Sequence, residues 1–189
     1  MKKKIISIYF ILLALTFCFA ETNHGKDDDT SSRYESSFTS IAQKDCQTLE
    51  SDNLGSIQEC ESFAGMKVTV IEGDIRQSIT LARDDKKYEL SFWNTISYGF
   101  SSLGLELEWR YLRNQFDNPL GMIVRLEVNE DDENLDNVVS YLVVSKITEQ
   151  EICVVGKVIP QKNQEEVARR MVEKSKDMQC LSSLKLNLK

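Results

Sequence analysis

The segment Leu103-Gly104-Leu105-Glu106-Leu107-Glu108-Trp109-Arg110-Tyr111 decides the fold of this 189-residue chain. Apolar or aromatic side chains occupy every second position, and glycine or charged residues stand between them. Successive side chains of a β-strand point to opposite faces of a sheet. The alternation therefore predicts a strand with one buried face and one solvated face.

The segments around this strand carry the same signal. Residues 120–128 repeat the alternation, and residues 68–81 alternate on both sides of Glu72-Gly73-Asp74, which predicts a hairpin. Residues 138–147 and 152–159 are apolar at most positions, as expected of strands buried on both faces. Strands joined by short turns form antiparallel sheets, because parallel pairs need long crossovers.

One helix is predicted near the end of the chain, over residues 163–179. Asn163 is a suitable N-cap, and Glu165 and Glu166 favour the positive end of a helix. We therefore expect an α+β protein, a mainly antiparallel β meander with the C-terminal helix packed on the sheet. Its length fits one β-rich domain over residues 39–189.

The first part of the chain has the features of an export signal. Residues 1–20 combine three lysines, an apolar run of 13 residues (Ile5–Phe17) and small residues before a cleavage point, as in a Sec-type signal peptide. The run is shorter than the roughly 20 residues that span a bilayer, so we expect no transmembrane anchor after its removal. Lipid attachment at Cys18 is an alternative, which the bulky residue before it disfavours. Residues 21–38 are polar and predicted to form a disordered acidic leader.

Four cysteines remain beyond the signal, which suits an exported, disulfide-bonded protein. Three connectivities are possible, and we expect Cys46–Cys60 and Cys153–Cys180 because each joins segments close in sequence. A zinc site built from all four cysteines is the alternative. The sequence lacks the close C-x2-C pairs that such sites use, so no metal is expected.

The charge balance limits the class of partner. The formal net charge is −7, and removal of residues 1–20 takes away three lysines and no acid, which makes it −10. A general nucleic-acid binder needs a basic surface, so we expect no nucleic-acid partner. A protein or an envelope glycan is the expected partner.

The sequence lacks the residues and motifs of several common kinds of catalytic site. The single histidine, His24, lies in the predicted leader, which excludes Ser-His-Asp and Cys-His catalysis and the usual zinc hydrolase sites in the folded part. The chain also has no glycine-rich phosphate-binding loop. We expect no cofactor and, most simply, no enzymatic activity.

Two carboxylates offer an alternative catalytic hypothesis. Glu106 and Glu108 leave the same face of one predicted strand, at a backbone separation of roughly 7 Å. Glycosidases use two carboxylates at comparable separations. The simpler interpretation is a charged, solvated face on which Arg110 and Arg125 are ion-pair partners.

The acidic loop over residues 129–137 partly matches a calcium-binding loop. Its residues Asp132, Asn134 and Asp136 follow the spacing of the first ligands. The glycine and the bidentate glutamate of that pattern are missing further on, so a solvated hairpin loop is the simpler interpretation.

Aromatic residues are dense before the central strand. Phe92, Trp93, Tyr98 and Phe100 lie within nine residues, and exposed aromatic side chains anchor partners in many interfaces. The alternative is that these residues form part of the core. We take them as the predicted partner-binding residues.

Several segments resemble an uncharacterised family of exported Gram-negative bacterial proteins. They are Thr39–Glu50, the hairpin at 72–76, the triplet Glu108-Trp109-Arg110, and the ending from Cys153-Val154-Val155 through Asn163 and Ala168-Arg169 to Cys180. The resemblance covers most of residues 39–180 and implies an envelope or secreted location. It implies no activity and no functional residues.

The sequence as a whole favours an exported, non-enzymatic binding protein. We expect it in the periplasm or outside the cell, where an effector or inhibitor-like role fits its features. The alternative is a carboxylate-based glycan hydrolase that uses Glu106 and Glu108.

Overall fold

The computed structural model describes residues 33–131, 133–134 and 136–184. Within these ranges one sheet of ten strands is accompanied by two α-helices. The strands are β1 (Tyr34–Ser40), β2 (Gln47–Ser51), β3 (Gly55–Phe63), β4 (Met66–Gly73), β5 (Arg76–Arg83), β6 (Lys86–Glu89), β7 (Ser101–Leu112), β8 (Pro119–Asn129), β9 (Val138–Ile147) and β10 (Ile152–Val158). The helices are α1 (Phe92–Thr95) and α2 (Gln164–Lys174). The predicted signal peptide (1–20) lies outside the described residues.

The sheet is an antiparallel meander, as the sequence predicts. Its strand order is β10-β9-β8-β7-β5-β4-β3-β2, with β1 also paired to β7 and β6 also paired to β5. The one parallel contact between the described strands is a single pair, Arg76 of β5 with Ser101 of β7. That contact joins the two halves of the meander at one end of the sheet, where the candidate site lies.

Tight turns connect the strands of the first half. The hairpins after β3, β4 and β5 turn at Ala64-Gly65, Asp74-Ile75 and Asp84-Asp85, and all six residues have a positive φ. Two-residue turns with positive φ match the right-handed twist of the flanking strands. These turns place three loop tips at alternating ends of the sheet.

The main core lies where the two halves of the sheet face each other. It contains residues from β3, β4 and β5 together with residues from β7 to β10, so the sheet curves over onto itself. Trp109 is fully buried there, stacks on Phe63 at a centroid distance of 5.0 Å, and donates its indole N–H to Thr39 Oγ1 at 2.8 Å. Leu107, Trp109 and Tyr111 are buried in this core, as the alternation predicts. Leu105 is 69% exposed, because the pairing of β7 with β8 shifts register between Leu103 and Leu107, and Glu108 and Arg110 on the predicted solvated face are buried.

Helix α2 covers the opposite face of β8, β9 and β10. A second, smaller cluster joins Ala168 and Val172 of the helix to Ile123, Leu142, Val144, Val155 and Val158 of the sheet. At Gly121 a Cβ atom would lie 2.8 Å from Val172 Cγ1, so the glycine permits the close approach of helix and sheet. The helix ends at Lys174, followed by a 3₁₀ turn at Ser175–Asp177, slightly earlier than predicted.

Both predicted disulfides are confirmed. Cys46–Cys60 ties the start of β2 to β3, and Cys153–Cys180 ties β10 to the segment after α2. Such bonds fit a protein that folds outside the reducing cytoplasm. Among the helices in the described ranges, none has the length and apolar character required to cross a bilayer.

Two sequence-based expectations need correction. Strand β1 begins at Tyr34, inside the predicted leader (21–38), because its backbone pairs with β7 from Glu106 to Leu112. Ile75, which we expected in the second strand of the 68–81 hairpin, instead forms the turn, because the last pair of the hairpin is Gly73 with Arg76.

Candidate functional site

Three loops meet at one end of the sheet. They are the β2–β3 loop (52–54), the β4–β5 turn (74–75) and the segment from 96 to 100 between α1 and β7. The amide of Asp74 donates to the carbonyl of Leu54 at 3.0 Å, and the amide of Ser101 donates to the carbonyl of Ile75 at 3.1 Å. The β4–β5 turn therefore lies between the other two loops.

Several apolar side chains at these loops are exposed. The exposed fractions are 79% for Leu54, 68% for Ile75, 38% for Phe100 and 37% for Tyr98, while Trp93 is partly buried beside them. We call these five residues the tip surface. Single exposed apolar residues are ordinary, but a contiguous group of them is a common mark of an interaction site.

Ile75 occupies a backbone conformation that isoleucine rarely adopts. Its φ is 58°, in the left-handed region, and Asp74 before it has a φ of 51°. Asn-Gly pairs are typical of this turn, because a β-branched side chain in the left-handed region clashes with its own backbone. The isoleucine therefore destabilises the folded state, and burial of its side chain, which is 68% exposed, does not offset the strain.

Arg76 fixes the aromatic loop to the hairpin. Its Nε donates to the carbonyl of Tyr98 at 2.8 Å, and its guanidinium carbon lies 5.1 Å from the centre of the Phe100 ring. Its Nη1 atom also pairs with Asp74 Oδ2 at 2.5 Å. Tyr98 and Phe100 are thus held in place by a neighbouring strand.

Glu130 supports the aromatic loop from behind. Ser97 Oγ donates to Glu130 Oε2 at 2.7 Å and accepts a hydrogen bond from the Gly99 amide at 3.1 Å. Tyr141 donates its hydroxyl to Glu130 Oε1 at 2.7 Å. Burial, together with the hydrogen bond to Glu130 and the charge of that carboxylate, raises the pKa of Tyr141 to about 12.

The chain after α2 reaches the same site. The amide of Leu184 donates to the carbonyl of Asn94 at 2.6 Å, and the hydroxyl of Tyr98 donates to the carbonyl of Leu184 at 2.5 Å. The disulfide at Cys180 fixes the start of this segment to β10. Tyr98 is therefore restrained through both its backbone and its hydroxyl.

The tip surface borders two depressions, of which the larger has an acidic lining. The larger, of about 540 Å³, lies between Leu54 and Ile75 and includes the carboxylates of Asp52, Glu72 and Asp74. The smaller, of about 290 Å³, is lined by Gly73, Asp74, Arg76, Trp93 and Tyr98. Three carboxylates and one guanidinium thus surround the exposed apolar residues.

Sequence reasoning identified part of this surface. The structure brings Trp93, Tyr98 and Phe100 together, as the aromatic density indicates. Phe92 was wrongly included. It is fully buried, because the first turn of α1 directs its side chain into the main core. Ile75 was not among the predicted partner-binding residues. Its position directly after Gly73-Asp74, in a predicted hairpin turn, could have indicated that it is exposed.

The two carboxylates of the catalytic hypothesis lie in different environments. Glu106 is exposed, whereas Glu108 is 7% exposed and lies beneath α2. Arg169 donates from Nε to Glu108 Oε1 at 2.6 Å and from Nη2 to Oε2 at 3.2 Å, and Ser36 also donates to Oε1 at 2.6 Å. The hydrogen bond to Glu108 raises the pKa of Arg169.

Glu108 belongs to a larger polar network. Ser36 accepts a hydrogen bond from Arg110 Nη1 at 3.1 Å, and Arg110 Nη2 pairs with Glu173 at 2.6 Å. The network links β7 to β1 and to α2. Both oxygens of Glu108 are engaged, so its arrangement indicates a structural role and does not favour a role as acid, base or nucleophile.

Two groups of residues were compared with metal sites, and neither has the ligands that such a site needs. Asp132 of the acidic loop lies outside the described residues. Asn134 accepts the amide of Asp136 at 3.2 Å, as in an ordinary turn. Glu151, Cys153 and Cys180 bring possible ligand atoms within 4.8 Å of one another, but both cysteines are in a disulfide and supply no thiolate.

The tip surface is therefore the best-defined candidate site, an apolar group with a strained turn at its centre and carboxylates around it. Comparison with protein-family models, with curated proteins and with solved structures finds no match for this chain.

Proposed function

We propose that this chain is an exported, non-enzymatic binding protein that uses the tip surface to bind another protein. The observation that carries the proposal is the exposure of Ile75 in a left-handed turn, flanked by Tyr98 and Phe100. Backbone strain of this kind concentrates at functional positions, where a requirement of function opposes the preference of the fold.

A protein partner suits this surface better than a glycan. Sugar-binding sites place a free aromatic face beside polar groups that hydrogen-bond to hydroxyls. Here the Arg76 guanidinium lies over the Phe100 ring, and the Tyr98 hydroxyl is bonded to Leu184. The aliphatic side chains of Leu54 and Ile75 favour apolar contacts, which are typical at the centre of protein interfaces.

The glycan-hydrolase alternative has less support. It requires Glu106 and Glu108 to act as an acid and a base or nucleophile, and Glu108 is held in an ion pair with Arg169. We therefore retain binding as the proposed activity. The compartment we propose is the periplasm or the exterior of the cell, supported by the disulfides and by the signal-like sequence at 1–20.

Affinity enrichment with matched variants tests the proposal. The protein, exported by a bacterial host and purified with both disulfides formed, is immobilised and exposed to envelope extract, and bound proteins are quantified by mass spectrometry. The tip variant carries Ile75→Asn and Phe100→Ser. The control variant carries Phe38→Ser and Leu105→Ser, which changes two residues that are 54% and 69% exposed on another part of the surface.

We expect a protein that is retained by the wild type and the control variant but not by the tip variant. Its purified form should then bind with the same dependence on Ile75 and Phe100. A purified partner that binds the tip variant as tightly as the wild type would disprove the proposal, and so would an extract in which no retained protein distinguishes the variants.

A further inference from the structure

We infer that the partner inserts a lysine or arginine side chain into the acidic depression between Leu54 and Ile75. Apolar residues of the same partner contact the tip surface. This inference rests on the proposed function and adds the chemical class of the partner. It follows from the charges at the site, the shape of the depression and the charge of the whole chain.

The carboxylates of the depression are not equally neutralised. Asp74 pairs with Arg76, whose guanidinium also bonds to the carbonyl of Tyr98. Asp52 Oδ1 accepts hydrogen bonds from the amides of Leu54 and Gly55, and Glu72 Oε2 accepts one from the side-chain amide of Gln77. These donors are neutral, and within the described residues neither Asp52 nor Glu72 forms a salt bridge with a lysine or arginine.

The depression suits a long cationic side chain. The depression has a volume of about 540 Å³, and its lining includes three carboxylates, the side chains of Leu54 and Ile75, and neutral polar residues of β2, β3 and the loop between them. Lysine and arginine bury their aliphatic stems against apolar residues while the charged end reaches a polar group. A neutral side chain would contact Leu54 and Ile75 but would leave Asp52 and Glu72 without a cationic partner.

The charge of the whole chain favours the same class of partner. The formal net charge is −7, which repels acidic surfaces and attracts basic ones. Complementary charge raises the association rate and selects among competing partners. A basic protein segment that alternates cationic and apolar residues therefore fits both the local and the overall charge.

A peptide-display selection on the intact protein tests this inference. A library of random peptides, about a dozen residues long, is selected on the wild type, and single peptides are then measured on three variants. Asp52→Asn with Glu72→Gln removes the two charges that lack a cationic partner and keeps their hydrogen-bond acceptors. Asp84→Asn with Asp85→Asn removes two charges from the turn at the other end of β5. Ile75→Asn with Phe100→Ser removes the apolar contacts.

We expect selected peptides that combine lysine or arginine with apolar residues. They should bind about tenfold more weakly to the Asp52/Glu72 variant, because a close charge pair is lost. Their affinity for the Asp84/Asp85 variant should equal that for the wild type. Their affinity for the wild type should fall as the salt concentration rises.

Two other outcomes are informative in different ways. Some selected peptides could depend on Ile75 and Phe100 but lack basic residues, or bind the Asp52/Glu72 variant with full affinity. Either result would overturn the cationic partner and leave the proposed function standing. A selection in which no peptide depends on Ile75 and Phe100 would count against both.

Discussion

Arg76 and Phe100, which are 24 positions apart in sequence, form a cation–π contact of 5.1 Å at the end of the sheet. The same arginine donates to the carbonyl of Tyr98. The contact joins the hairpin that contains Ile75 to the loop that presents the aromatic residues. The tip surface is therefore one ordered unit built from two separate parts of the chain.

Arg76→Lys should loosen the aromatic loop without unfolding the protein. Lysine keeps the charge but loses the Nε donor and the planar group that lies over Phe100. We expect faster amide hydrogen exchange over residues 97–101, measured by mass spectrometry. Arg83→Lys, at the opposite end of β5, is the control and should leave exchange in that segment as it is in the wild type. Equal exchange in both variants would show that Arg76 does not order the loop.

Ile75→Asn should stabilise the protein and weaken binding. Asparagine tolerates the left-handed region, and removal of the strain should raise the free energy of unfolding by about 1 kcal/mol. Chemical denaturation measures the change. Leu54→Asn is the comparison, since Leu54 is exposed but has no positive φ, and it should bring no gain. A loss of stability in the Ile75 variant would mean that the turn is not strained.

Glu108→Gln should destabilise the protein by about 2 kcal/mol, because a buried, charge-assisted hydrogen bond to Arg169 is lost. A double-mutant cycle with Arg169→Gln, followed by urea denaturation, separates the pair energy from other effects. Glu106→Gln on the same strand is exposed and should change the free energy of unfolding by less than about 0.5 kcal/mol. Similar values for Glu106 and Glu108 would contradict the structural role of the network.

Tyr141 should make the protein sensitive to alkaline pH. Its pKa rises from the ordinary value of 10.0 to about 12 in the folded chain, so the folded state holds the phenolic proton more tightly than the unfolded state does. The stability gained from this proton is complete below a pH of about 10 and is lost as the pH rises from there towards the folded-state pKa.

Tyr141→Phe removes that contribution, and its free energy of unfolding should fall less steeply than that of the wild type over this range. Denaturation curves collected at several pH values compare the two slopes. Parallel pH profiles would show that Tyr141 titrates normally in the folded protein.

The regular strands were predictable because apolar residues recur at every second position of their sequences, although residues 107–111 of β7 are buried on both faces. Residues 103–111 and 120–128 alternate in sequence and form β7 and β8, with Trp109 and Met122 fully buried. Both disulfides also followed from the distribution of cysteines along the chain. These features depend on local pattern, which the sequence displays directly.

The features that were missed depend on tertiary contacts. Strand β1 has the polar sequence YESSFTS and is a strand because it pairs with β7, and Ser36 bonds to Glu108 across that pair. Glu108 has the pattern of a solvated residue, yet α2 covers it. Phe92 and Phe100 are the same residue type, and only the fold determines that the first is buried and the second exposed.

Site-specific photocrosslinking tests the central claim most directly. A benzophenone amino acid replaces Ile75 in one protein and Phe38 in another, and both are exported by the native cell and irradiated there. We predict a crosslink to one identified protein from position 75 and none to it from position 38. Crosslinks to the same protein from both positions, or none from position 75, would contradict the assignment of the tip surface as the binding site.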